Sequence, residues 1–298
     1  MVKRAAGIFA VFCMTGGGFA QNLAVEQVRT RTQGISRADS VELKMIAEER
    51  GEVVELTGRP ARALQLRAGI STNLEYQSNS PALPSGPRGD WLSLSAFEAG
   101  LNKPLGEQFS LDLSIRTDVA AYFHFDGISY WGPSAIGLVY YRPSANWPRV
   151  YVGGQLYRYD NIRNGSKITD AGAVIAGTDH SLVFDGGRSV LSIGYQFARY
   201  WANPLTEERT SHVLFASFTR QLSGSLYAQA SWNWQYSDFD ALARRDSRNL
   251  IGLGLIYAVK ENVALRIYAN YLRNESNNPF VDYENFTVGL GVNVMLRF

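Results

Sequence analysis

Phe286-Thr287-Val288-Gly289-Leu290-Gly291-Val292-Asn293-Val294-Met295-Leu296-Arg297-Phe298 decides the fold. Successive side chains of an extended chain point to opposite sides, so Phe286, Val288, Leu290, Val292, Val294, Leu296 and Phe298 share one face. Thr287, Gly289, Gly291, Asn293, Met295 and Arg297 share the other. An unbroken period of two over this length exceeds the usual globular strand of about 5–6 residues. It is long enough to cross a bilayer as a tilted strand.

The same pattern recurs upstream. Leu64, Leu66, Ala68, Ile70, Leu74 and Tyr76 oppose Gln65, Arg67, Ser71, Asn73 and Glu75. Phe109, Leu111, Leu113, Ile115, Val119, Ala121 and Phe123 oppose Asp112, Ser114, Arg116, Asp118 and Tyr122. The runs 225–237 and 262–273 are equally clear, and less regular ones fall at 91–102, 132–142, 149–160, 188–200, 210–220 and 248–259. Short turns are expected at 103–108, 143–148, 221–224 and 260–262, with longer polar loops at 79–90, 238–247 and 274–283. Short turns on one side and long loops on the other require one more strand, expected near 171–184 with Asp185-Gly186-Gly187 as its turn. The strand number becomes about twelve, even, with both ends on the short-turn side.

Of the 298 residues 46% are hydrophobic, and mean hydropathy is −0.15. Downstream of the leader no apolar run approaches the roughly 20 residues of a spanning helix. A barrel in lipid hides its hydrophobicity in alternate positions. A soluble sandwich also alternates, but with shorter strands and open edges. The 16 Tyr and 6 Trp suit two membrane–water interfaces. A net charge of +2 excludes a strong electrostatic case for nucleic acid. The one cysteine, Cys13, lies in the leader, so disulfides and thiol metal sites are not expected in the mature chain.

Residues 1–20 read as a signal peptide. Lys3 and Arg4 precede a short apolar core, and Gly18-Phe19-Ala20 places small residues before Gln21. Phe12 before Cys13 disfavours lipoprotein processing. Residues 21–60 are charged and lack alternation. Ser36-Arg37-Ala38-Asp39 resembles a helix start, and Gly51 suits the end of a helix over 40–50. Two readings stand: a loose periplasmic lead-in, or a helix that plugs the barrel. The expectation is a closed antiparallel transmembrane β-barrel over 61–298.

The leader, the alternating strands and the terminal F-T-V-G-L-G-V-N-V-M-L-R-F together resemble the outer-membrane β-barrel porins of Gram-negative bacteria. Tyr271-Leu272-Arg273-Asn274-Glu275-Ser276-Asn277, followed by Tyr283, is similar to the final hairpin of several such families. The resemblance implies an outer-membrane location among lipid and lipopolysaccharide. It implies that Phe298 is a signal to the barrel-assembly machinery. The motifs identify architecture and no substrate; the functional expectation is a passive channel for small hydrophilic solutes, and the alternative is a non-conducting accessory barrel of an envelope or export complex.

The expected inner face carries Arg67, Glu75, Asp112, Arg116, Asp118, Arg266 and Arg297. These side chains either line a channel or fill a narrow interior with mutual ion pairs. Their mixed signs favour no ion. Catalysis has little support. His180-Ser181 and Ser211-His212 are adjacent pairs, which point to opposite faces of a strand. His124 near Asp126 reads as a loop cluster. Asp238, Asp240 and Asp246 are expected in one outer loop, beside Arg244, Arg245 and Arg248, which would pair with them or with lipid phosphates. No transition-metal spacing or cofactor motif is present.

Overall fold

A computed structural model describes residues 64–144, 147–260 and 262–298. The expected leader and the 21–60 segment lie outside the described residues. Among these residues twelve strands form one sheet: β1 Gln65–Gln77, β2 Asp90–Pro104, β3 Phe109–Tyr122, β4 Tyr130–Tyr141, β5 Arg149–Asn161 and β6 Lys167–Phe184. It continues through β7 Ser189–Asn203, β8 Arg209–Gln221, β9 Leu226–Phe239, β10 Arg244–Lys260, β11 Val263–Ser276 and β12 Tyr283–Arg297. Every strand pairs antiparallel with its sequence neighbours, and β12 returns to β1, so the barrel is closed.

The terminal run makes the closure. Arg67 stands opposite Arg297, and Gln77 opposite Thr287. Leu66 N–H donates to the Phe298 carbonyl at 3.0 Å, and Phe298 N–H donates back at 2.9 Å. A closed sheet leaves no edge, and lipid offers no partner to an unpaired backbone group. The missing strand is β6, whose turn spans Asp185–Gly187. Gly186 and Gly187 there have φ of +66° and +97°, a region costly for side-chain-bearing residues.

Connections 105–108, 185–188 and 222–225 occupy one end, and 78–89, 123–129 and 277–282 the other. In outer-membrane barrels the longer loops are extracellular. One expected long loop is corrected. The 238–247 stretch is a hairpin whose turn is only 240–243, because Arg245 pairs with Asp238 and Asp246 with Ser237 as strand residues.

The outer face carries Ile115, Leu156 and Ile267, each about two-thirds exposed at 63–67%. Removed from water by lipid, such side chains contribute roughly 1.5–3 kcal/mol each. Aromatics mark both ends of this face. Tyr76 packs on Trp91 near the long loops, and Phe109 on Tyr141 near the short turns.

The inner face has two unlike halves. From β2 to β7 it holds an apolar cluster, with Leu92, Tyr122, Tyr157, Ile175 and Tyr200 buried together, beside inward charges on β2, β3, β5 and β6. From β8 through β12 it is largely polar, with Gln229, Asn233, Gln235, Asn270 and Thr287 buried. This division explains the uneven alternation in the sequence. β1, β3, β9, β11 and β12, whose inward residues are mostly polar, read cleanly; strands such as β4 and β6, whose inward residues are mostly apolar, have hydrophobic residues on both sides.

Candidate functional site

The candidate site is the barrel interior. A ladder of ion pairs crosses β1, β2 and β3. Arg67 donates from Nη1 and Nη2 to the Asp112 carboxylate at 2.8 and 2.9 Å, and from Nε to Glu98 at 3.1 Å. Arg116 lies 2.7 Å from Asp118 and 3.8 Å from Glu98. Arg67 reaches a carboxylate two strands away because Gly100 lies beneath it. A Cβ at Gly100 would stand 2.8 Å from Arg67 Cζ. Arg67, Glu98, Asp112 and Arg116 keep 20–26% of their side-chain surface. Water therefore reaches the ladder, which limits what each pair adds to stability.

The other expected inner residues take separate places. The Tyr268 hydroxyl donates to Glu75 across β12. Gly289 makes that crossing possible, since a Cβ there would meet the Tyr268 ring at 2.6 Å. Arg266 Nη2 donates to Gln229 Oε1 at 3.3 Å. Arg297 is a β12 residue, but its side chain lies outside the described set. Arg67, Asp112, Arg116 and Asp118 thus come together, while Glu75 and Arg266 do not join them.

Sequence reading missed several interior charges. Glu98 bridges the two arginines of the ladder. Arg149 pairs with Asp179 at 3.1 Å and lies 4.2 Å from the Tyr140 ring centroid. A larger omission lies at the long-loop end, where Tyr200, Arg209, Phe239 and Arg244 occupy one cross-strand row over β7 to β10. Arg209 lies 4.3 Å from the Tyr200 ring centroid and 5.6 Å from that of Phe239, and Arg244 lies 3.7 Å from that of Phe239. Guanidinium groups are attracted to aromatic faces, most strongly away from water. Asp246 lies 3.3 Å from Arg244 Nε, and Glu207 Oε2 lies 3.9 Å from Arg209 Nη1. Arg209, Arg244, Asp246 and Arg248 are all within 5% of full burial. Cross-strand register shows that Arg244, Asp246 and Arg248 extend the inward phase of Leu250 and Gly252.

Glu207 sits in the 204–208 connection, outside the spanning strands. Burial pushes its carboxyl up to about 7, against the opposing pull of Arg209 and Arg244.

The three acids expected in one loop are dispersed. Asp246 points inward, Asp238 stands 3.7 Å from Arg245, and Asp240 pairs with Arg199. No group of three metal-ligating side chains comes together among the described residues. The adjacent His–Ser pairs split across the wall. Ser181 and Ser211 bond to Ser192 and Ser237, whereas His212 Nδ1 meets the Tyr195 hydroxyl at 2.7 Å. His124 Nδ1 meets Asp90 rather than Asp126, at 2.8 Å; Asp90 also accepts the backbone N–H of Phe125 at 2.9 Å and so caps the 123–129 loop.

Residues 210–296, covering β8 to β12, match the family described as Putative beta-barrel porin 2. No curated protein matches the chain. Among solved structures, an outer-membrane channel of Pseudomonas putida F1 is 11% identical, with a TM-score of 0.50 over 81% of this chain and 98% of that one. The translocator domain of the Neisseria meningitidis autotransporter NalP is 10% identical, with a TM-score of 0.45 over 87% and 97%. LpxR from Salmonella typhimurium is 8% identical, with a TM-score of 0.44 over 76% and 99%. Such identities speak to fold. The matched family segment, the closed twelve-strand sheet and its apolar exterior agree: the chain is a bacterial outer-membrane β-barrel, similar over its last five strands to the β-barrel porins.

Proposed function

We propose that the barrel is a porin-like channel for passive diffusion of small hydrophilic solutes, with Arg67, Glu98, Asp112, Arg116 and Asp118 on the path. The observation that carries this reading is the ladder itself. Its charged side chains are inward, and Arg67, Glu98, Asp112 and Arg116 are water-accessible, as a polar pathway needs. Glu75, Arg266 and Arg297 belong to the same lining by their strand phase. The outer face lies in lipid and lipopolysaccharide, and Phe298 is the residue offered to the barrel-assembly machinery. No catalytic step is part of this reading.

A second reading is a non-conducting accessory barrel. It is favoured by the complete burial of Glu75, Leu92 and Ile175 and by the stack at the long-loop end. Single-channel recording in planar bilayers separates the two. The channel reading expects discrete conductance steps that grow when Phe239 is replaced by Ala. An electrically silent barrel, in both the native and the Phe239→Ala form, supports the accessory reading.

A further inference from the structure

We propose that Arg209, Arg244 and Arg248 form a binding site for a phosphate-class oxyanion inside the long-loop end of the barrel. The site is independent of whether the interior conducts.

The first argument is charge. Three guanidinium groups face two carboxylates, Glu207 and Asp246, and all five interact around Glu207. All are at least nine-tenths buried. Arginine does not deprotonate in proteins, so the cluster has no route to neutrality by losing a proton. A buried uncompensated charge is costly and calls for a counter-charge. Water can satisfy an N–H, but it does not remove a net positive charge.

The second argument is donor geometry. Arg209 Nε, Arg244 Nη2, and Arg248 Nε and Nη1 are buried and donate to no acceptor. Arg209 is otherwise held by its Nη1 bond to the Glu207 carbonyl at 3.0 Å. Arg244 is held between Phe239 and Asp246. Arg209 also contacts Tyr157, and Arg248 contacts Tyr283, so all three guanidinium groups are fixed by other contacts while the four nitrogens named above lack partners. Several N–H donors from planar forks match the tetrahedral oxygens of phosphate, which accept charge-assisted bonds from more than one arginine. Tyr157, Tyr200, Phe239 and Tyr283 close the surroundings. Their apolar faces lower the local polarity and strengthen each such bond.

Arg209, Arg244 and Arg248 face inward, so the sheet separates them from lipid phosphates on the outer face. Arg245 lies on the opposite face of the same strand, exposed and 3.7 Å from Asp238. It supplies the control.

The test is titration of inorganic phosphate into the full barrel, folded in detergent micelles in a phosphate-free buffer, with the unfolding midpoint as readout. A ligand that binds only the folded state raises that midpoint saturably. The wild type and Arg245→Gln should show the same saturable rise, and sodium chloride at matched ionic strength should not reproduce it. Arg248→Gln should weaken the apparent Kd by about ten-fold or more, the loss expected for charge-assisted hydrogen bonds. If Arg248→Gln does not fold, Arg248→Lys keeps the charge but loses the fork, and should still weaken binding by roughly ten-fold. A wild type without saturable stabilisation overturns the proposal. So does equal stabilisation of the wild type and the Arg248 variant. Stabilisation by lipopolysaccharide-containing micelles but not by free phosphate also overturns it, since that places the recognised phosphate on the lipid side.

Discussion

The Arg244 guanidinium lies 3.7 Å from the centroid of the Phe239 ring, its cross-strand partner. On the opposite flank Phe239 pairs with Arg209, whose guanidinium lies 5.6 Å away. One ring therefore separates two buried cations. Phe239→Ala should lower stability in lipid vesicles by about 3–5 kcal/mol, the usual cost of deleting a buried phenyl group. Phe239→Leu retains most of the volume and should lose about 1 kcal/mol, mainly the cation–π part. Urea unfolding followed by tryptophan fluorescence measures both. Equal losses would mean that the aromatic face, not the volume of the side chain, holds the row; no loss in Phe239→Leu would mean that packing alone does.

Arg116→Glu changes the ladder from two cations against three carboxylates to one against four. If the ladder lines the solute path, reversal potentials in asymmetric salt should shift toward cation preference. Folding should weaken moderately, because Arg116 and Glu98 retain access to water but Asp118 is buried and loses its partner. A conducting wild type with the same reversal potential as the variant would remove Arg116 from the path.

Leu290 is 56% exposed on the outer face of β12, and Asn293 is inward and partly buried. Leu290→Arg should cost roughly 2–4 kcal/mol of folding into vesicles, the range for a cation at mid-bilayer. Asn293→Arg meets the hydrated interior and should cost much less. The reverse order would mean that the strand register is shifted by one residue.

The Glu207 carboxyl titrates near 7 in the folded protein, against an ordinary value of 4.5. Between these values the folded state holds a proton that the unfolded state has released. Stability from this group is therefore full below the lower value, falls as pH rises through the window, and is lost above the upper value. The total is on the order of 3 kcal/mol. The charged groups that face it, Arg209, Arg244, Asp246 and Arg248, lie on β8 and β10. Hydrogen exchange of the 204–208 backbone, from about pH 5 to about pH 8 after correction for intrinsic rates, should show falling protection in the wild type. Glu207→Gln should flatten that component. An identical slope in both proteins would assign it elsewhere.

The barrel was legible in β1, β3, β9, β11 and β12 because polar inner residues oppose apolar outer ones along each of them. The position of β6 followed from parity rather than from its own residues; Ala171, Ala173 and Ile175 are inward yet as apolar as its outer face. The ladder was partly legible. Arg67, Asp112, Arg116 and Asp118 stand in clean alternation, but Glu98 lies in a run where Leu92 and Leu94 face inward. The Arg244–Arg248 cluster was hidden by composition. A stretch dense in Asp and Arg reads as a solvated loop, and only cross-strand register reveals that alternate residues of it are buried.

The two-faced hydrophobicity of the β2–β7 wall bears on how the sheet assembles. In β4, Ile136, Leu138 and Tyr140 face inward, while Ala135, Gly137, Val139 and Tyr141 face outward. A slip of one residue would exchange two apolar sets, with little change in transfer energy to select against it. Partitioning into lipid therefore proofreads β12 but not β4. The alignment of β4 must be copied from a neighbour already in place, through hydrogen bonds such as those that set Arg116 opposite Ser134. Insertion that starts from the self-correcting C-terminal strands and templates the apolar ones in succession would be faithful. Insertion that starts in the middle of the chain would accumulate misaligned hairpins.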